Sequence, residues 1–240
     1  MRYREDMWLL LIGVIVFSSP PTILGQHTGD YAFNSSMHQL EVIEVSRGRN
    51  EPEFLDLTVT PFRRDGNRRV DSQFDIHLQT DVPFDALIDV FLDNSRYLGT
   101  LPRLVDYEWE VLRDDGAVRE VRERQVISIT FMGITSGYDL VQRTRTEITT
   151  EGNERVFRLY YRMEESLDGK LESSQGVYYV RETLSGPHPG TYIRQQNQTV
   201  IADVFPGLPL ILRHLAPIGT RRIFESLLES ARSRAEETNS

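Results

Sequence analysis

The chain has 240 residues, 39% hydrophobic and 26% charged, with a formal net charge of −9 and no cysteine. That length suits one domain with an extra segment or two small domains, and ten Tyr and eleven Phe supply bulk for a core. The acidic balance lacks the footprint of a nucleic-acid binder, whose affinity rests on neutralising phosphates, and it gives no general attraction to anionic lipid surfaces. The absence of cysteine excludes a disulfide framework, a thiolate metal site and a catalytic thiol.

The N-terminus runs MRYREDM, then WLLLIGVIVF, then SSPPTILGQ. A short charged region, an apolar run and a small-residue stretch with prolines follow in the order of a secretory signal peptide. The apolar run is short for a membrane span, which needs about 20 residues. The reading is residues 1–25 as a signal peptide cut after Gly25, giving an exported protein, periplasmic or extracellular. An uncleaved N-terminal anchor and a buried domain start are the alternatives. Residues 26–69 read as a spacer with one or two strands. Asn34 and Asn197 each open an N-x-[ST] sequon.

From here the chain reads mainly as strand. Leu55, Leu57 and Val59 alternate with polar neighbours over 54–62, and RRDGN turns the chain. Phe74, Ile76 and Leu78 alternate with Gln73, Asp75, His77 and Gln79, a half-buried strand that leaves His77 facing solvent or a cavity. The period then changes. Phe84, Leu87, Ile88, Phe91 and Leu92 share one helical face, with Asp81 placed as N-cap and Pro83 in the first turn. A second short helix follows over 94–104. After Pro102 come strands around Tyr107 and Trp109, over 118–131, 138–150 and 156–163, then 171–184 and 191–202, separated by Asp-Gly and Gly-rich turns.

These turns recur roughly every 17 to 20 residues, where a usual strand is about 5–6 residues long. Twist accumulates along strands of such length and curls the sheet into a half-barrel with one concave apolar face. The tail supplies a cover: Ile223, Phe224, Leu227, Leu228 and Ala231 fall on one face of a helix whose other face carries Arg221, Arg222, Glu225, Glu229, Arg232 and Arg234. The expected fold class is α+β, a curved antiparallel β-sheet gripping a long C-terminal helix, with two short helices after the first strand.

That order resembles the helix-grip fold of the START-like, or SRPBCC, superfamily, which includes lipid-transfer START domains, Bet v 1-like proteins and polyketide cyclase-like proteins. The resemblance covers residues 70–236 and is carried by PFDALIDVFLDNSRYLGTLP, SSQGVYYVRETL and PGLPLILRHLAPIGTRRIFESLLESARSRAE, the last with a proline-rich lead at Pro206 and Pro209. Residues 26–69 have no counterpart in it, an export signal is atypical of it, and 237–240 form a tail. The resemblance implies a hydrophobic cavity between helix and sheet that holds a lipid-like small molecule. Most members bind such molecules and a minority are enzymes, so the fold does not by itself fix the function.

No nucleophile elbow, dinucleotide-binding glycine motif, Walker loop or H-E-x-x-H motif is present. The five histidines, at 27, 38, 77, 188 and 214, show no metal-ligand spacing. No metal, cofactor or nucleic-acid partner is implied, and the sequence leaves the oligomeric state open. Candidate ligand-lining residues are Tyr107, Trp109, Ile129, Phe131, Phe157, Leu159, Tyr161, Met163, Tyr179 and Leu212. Arg143, Arg145, Arg158 and Arg162 form either an anion site or a row of outward ion pairs, and strand parity favours the pairs. The favoured reading is an exported, non-enzymatic binder or carrier of a hydrophobic small molecule. The alternatives are a cyclase-, dehydratase- or hydrolase-like enzyme using His77, His214 or Tyr161, and a packed interaction module without ligand.

Overall fold

In the computed structural model, residues 40–46, 48–131, 134–184 and 190–238 are described. The proposed signal peptide, His27, Asn34, His38 and His188 fall outside the described residues. Eight strands form one antiparallel sheet: β1 (Glu53–Arg64), β2 (Asn67–Thr80), β3 (Leu104–Asp114), β4 (Val118–Phe131), β5 (Ile134–Glu151), β6 (Glu154–Ser166), β7 (Leu171–Thr183) and β8 (Gly190–Ile201). Between β2 and β3 lie α1 (Phe84–Leu92), a 3₁₀ turn (Asn94–Arg96) and α2 (Tyr97–Thr100); the chain closes with α3 (Leu208–Thr238).

The sheet order is β1-β2-β8-β7-β6-β5-β4-β3. Hairpins make every neighbour pair except β2 with β8, where Val70 stands opposite Ile201 and Thr80 opposite Thr191. The first hairpin turns on Asp65 and Gly66, both at positive φ (51° and 79°), the conformation that matches the twist of the flanking strands. The two-helix connection carries the chain from β2 to β3 at the far edge, so β1 and β3 end an unclosed, curved sheet. β1 lies in the stretch read as spacer and joins the sheet beside β2.

The concave face holds the main core. Ile76, Leu78, Phe157, Val180 and Ile193 from the sheet meet Leu87, Ile88 and Phe91 of α1 and Phe224, Leu227, Leu228 and Ala231 of α3. Thus the apolar helical face read from the sequence is the one that packs on the concave side. At 31 residues, α3 is about 46 Å long, long enough to cross the whole sheet. Val59, Val70, Ile201 and Leu208 close the sheet beneath the start of α3. The Asp81 cap is not formed: α1 begins after Pro83 with no side-chain cap, and Asp81 pairs with Arg232 on α3 instead. No helix among the described residues is long and apolar enough to cross a membrane.

The convex face has a smaller core. Val156, Tyr160, Val177, Tyr179 and Tyr192 cluster with Leu40. The leading segment is tied over them: the Ile43 backbone N–H donates to the Tyr192 hydroxyl at 3.2 Å, and Arg194 donates to the Glu41 carbonyl at 3.0 Å while gripping Asp75. This segment overturns the expectation for His77. Its ring is fully buried on the convex side, with Nδ1 3.1 Å from the Tyr192 hydroxyl and Nε2 3.5 Å from Glu53. It faces neither solvent nor cavity, because residues far upstream cover it.

Candidate functional site

Between α3 and the concave face lies a cavity of about 400 Å³, within the range that holds small organic ligands. Its walls are largely apolar: Phe74, Phe91, Ile127, Leu140, Leu159 and Tyr178 from sheet and α1, with Leu212, Ile223 and Leu227 from α3 as the roof. It exists because the packing is uneven along α3. Towards the C-terminal end, Phe224, Leu228 and Ala231 meet α1 and the sheet with little or no exposed surface. Beyond them the concave residues turn shorter and more polar, with Ser72, Thr144, Gln195, Asn197 and Thr199, and no bulky side chain reaches across.

Two polar clusters interrupt the apolar lining. On β4, Glu123 is only 2% exposed. Its carboxylate accepts from Thr144 (2.9 Å), Gln125 (2.9 Å), Gln142 (3.0 Å) and Asn94 (3.3 Å), and no ion pair neutralises it among the described residues. Such a shell is what a buried carboxylate requires. On β6, the Tyr161 hydroxyl accepts from Asn197 at 2.7 Å and from Gln195 at 3.4 Å. Burial, above all, raises the Tyr161 and Tyr178 hydroxyls above the usual tyrosine range, so both keep their protons.

Tyr161 reaches its partners because of one glycine. Gly176 stands opposite Tyr161 on β7, and a Cβ there would lie 2.3 Å from the Tyr161 oxygen. Lacking a side chain, β7 lets the tyrosine lie across it toward β8.

No protein-family model matches the sequence, and no curated protein matches it. Solved structures do match in fold. Human StAR-related lipid transfer protein 5 aligns over 74% of this chain and 88% of its own, at 9% identity and a TM-score of 0.50. Human STARD10 aligns over 76% and 77% at 13% identity, with a TM-score of 0.47, and the Zhui aromatase/cyclase from Streptomcyes sp. R1128 over 70% and 96% at 13% identity, with a TM-score of 0.45. The chain has the START-like helix-grip fold.

Within the helix grip, the expected lining residues separate. Ile129, Leu159, Tyr161 and Leu212 line the cavity. Phe157 belongs to the packed end, stacked on Phe91 with centroids 5.6 Å apart. Tyr107 is buried beside the cavity, its ring on Tyr97 and its hydroxyl accepting from Asn94 at 2.6 Å. Met163 stands opposite Gln142 on the concave side but is not among the lining residues. The Phe131 side chain lies outside the described residues.

Two expectations are corrected. Trp109 is 44% exposed, on the edge strand β3, which has a neighbour on one side only. Tyr179 points to the convex face, where it packs on Tyr192 with Arg158 over its ring, and its neighbour Tyr178 takes the cavity position. The run Val177-Tyr178-Tyr179-Val180 is apolar on both faces, so alternation could not decide between the tyrosines.

The sequence reading also missed the polar floor. Gln195, Asn197 and Thr144 were not singled out from the sequence; the register sets Thr144 opposite Tyr161, Asn197 opposite Gly176 and Gln195 opposite Tyr178. Asn197 donates inward to Tyr161, so its sequon cannot carry a glycan in this fold. The arginine row is a set of ion pairs: Arg143 with Glu164 at 2.9 Å, Arg145 with Glu147 at 3.8 Å, and Arg158 with Glu151. His214 is exposed on α3 and His77 lies beneath the convex-face segment. With Tyr161 in the cavity, these three do not converge.

Proposed function

We propose that this chain is an exported, non-enzymatic binder or carrier of a hydrophobic small molecule, lipid-like in character, held between α3 and the sheet. The observation that carries the reading is the cavity of about 400 Å³ with apolar walls, set beside a tightly packed core that the same helix forms elsewhere. A domain needing only stability fills such a space, because each missing contact costs energy. The name of the human lipid transfer protein that shares the fold agrees with this reading. Dispersal of His77, His214 and Tyr161 over separate surfaces supports carriage over acid–base catalysis, which needs its groups within hydrogen-bonding reach. Export rests on the charged-apolar-small order of residues 1–25.

Native mass spectrometry of protein purified without detergent tests the proposal. The expected spectrum shows the folded chain with a bound species that organic solvent extracts, and an intact mass starting at Gln26 where the host exports it. A chain that is always bare, and that takes up no apolar probe when offered one, would refute the binding role.

A further inference from the structure

The concave floor carries its polar groups in a band that runs across the strands. Asn197 stands opposite Gly176, Gly176 opposite Tyr161, and Tyr161 opposite Thr144. Gln195 shares the Asn197 side of β8, two residues away. Gln195 is 5% exposed and Tyr161 9%, so their polar atoms depend on protein or ligand partners. Those partners are incomplete. The Tyr161 oxygen accepts from both amides, yet its own proton has no acceptor among the described residues. Gln195 Oε1 has no hydrogen-bond partner. A half-turn of the amide lets the tyrosine proton reach Oε1 and leaves the N–H pair unmatched instead. As oriented, the cluster leaves one acceptor, Gln195 Oε1, and one donor, the Tyr161 proton, to whatever fills the cavity.

We propose that Tyr161, Gln195 and Asn197 form a subsite for an uncharged hydroxyl group, and that the ligand is a hydrophobic alcohol rather than a fatty acid. This rests on the binding role above and deepens it. A hydroxyl both gives and receives, so one group completes the cluster: it donates to Gln195 Oε1 and accepts the Tyr161 proton. An ether oxygen can only receive. A carboxylate brings a negative charge into the cavity that Glu123 also lines, with no ion pair to Glu123 among the described residues, and like charges in a poorly screened interior repel. Among the described residues the one cationic side chain on the lining, Arg103, is exposed and lies on the connection into β3.

The test is displacement of the neutral fluorophore N-phenyl-1-naphthylamine from the full chain by 1-dodecanol, by 1-methoxyundecane, which has the same number of heavy atoms without the donor, and by dodecanoic acid at neutral pH. The expected result is an alcohol binding at least about fivefold more tightly than the ether, with the acid weaker than the alcohol. Tyr161→Phe and Gln195→Leu should each bring the alcohol-to-ether ratio close to one, and either variant suffices if the other fails to fold. Equal binding of alcohol and ether by the wild type, acid binding as tight as alcohol, or a ratio that survives in a folded Gln195→Leu would each overturn the assignment while leaving the binding role intact. Failure of the wild type to take up the fluorophore or any of the three chains would overturn the binding role itself.

Discussion

His77 is a buried imidazole whose environment opposes its charge. Burial lowers its pKa below the usual 6.5, more strongly than Glu53 raises it. The folded state therefore binds fewer protons than the unfolded state as pH falls below about 6.5, and the stability present above that pH is progressively lost. Denaturant midpoints should fall between pH 7.5 and 5 in the wild type and stay nearly level in His77→Gln, which keeps a polar partner for Tyr192 but does not titrate there. The carboxylates whose pKa values are lowered, Glu53, Asp81, Asp93, Asp115 and Glu182, act below this window. An equal slope in both proteins would show that His77 is not the group responsible. The sequence placed His77 correctly on the polar side of β2. It could not show that this side is covered, because Leu40, Glu41 and Ile43 come from a stretch without a regular period.

At the scale of elements, Gly176 couples two strands to the site. Gly176→Val puts a branched side chain where the Tyr161 hydroxyl lies and presses on the Gln196 carbonyl, 2.5 Å from the Cβ position. Neither strand can yield inside the sheet, so the expected outcome is a loss of about 1–3 kcal/mol of stability, read in urea unfolding, together with loss of the tyrosine's bond to Asn197. A variant as stable as the wild type would mean Tyr161 has another place to go. Strand spans were legible from their turns: Asp65-Gly66 and Gly152-Asn153 stop the alternation where the hairpins lie. The α3 face was legible from Phe224, Leu227, Leu228 and Ala231 at helical spacing. Which concave residues fill space and which line a void was not legible. Phe157 and Leu159 sit two residues apart on one face of β6, yet the first is packed against Phe91 and the second borders the cavity. That distinction depends on how α1 and α3 cross the sheet, a property of the assembly.

For the molecule as a whole, the order of strands decides the architecture. β8 inserts between β2 and β7, and the two-helix connection spans the concave face to place β3 at the far edge. The grip is complete only when α3 lies in this trough, with its interior end packed and its remainder roofing a hollow. The α+β class and the closing helix followed from long alternating strands and one amphipathic tail. The β2–β8 pairing did not, since nothing local in either strand specifies a partner about 120 residues away. If the hollow is the ligand site, filling it from the roof must abolish binding without unfolding the protein. Ile223 is suited to this, being partly buried and on the lining. The decisive measurement is a fluorescence titration of wild type and Ile223→Trp with N-phenyl-1-naphthylamine, with thermal unfolding recorded for both. The account predicts saturable binding near one probe per chain in the wild type and at least a tenfold loss in the variant at a melting temperature no lower than about 5 °C below wild type. Undiminished binding in a folded Ile223→Trp would contradict it.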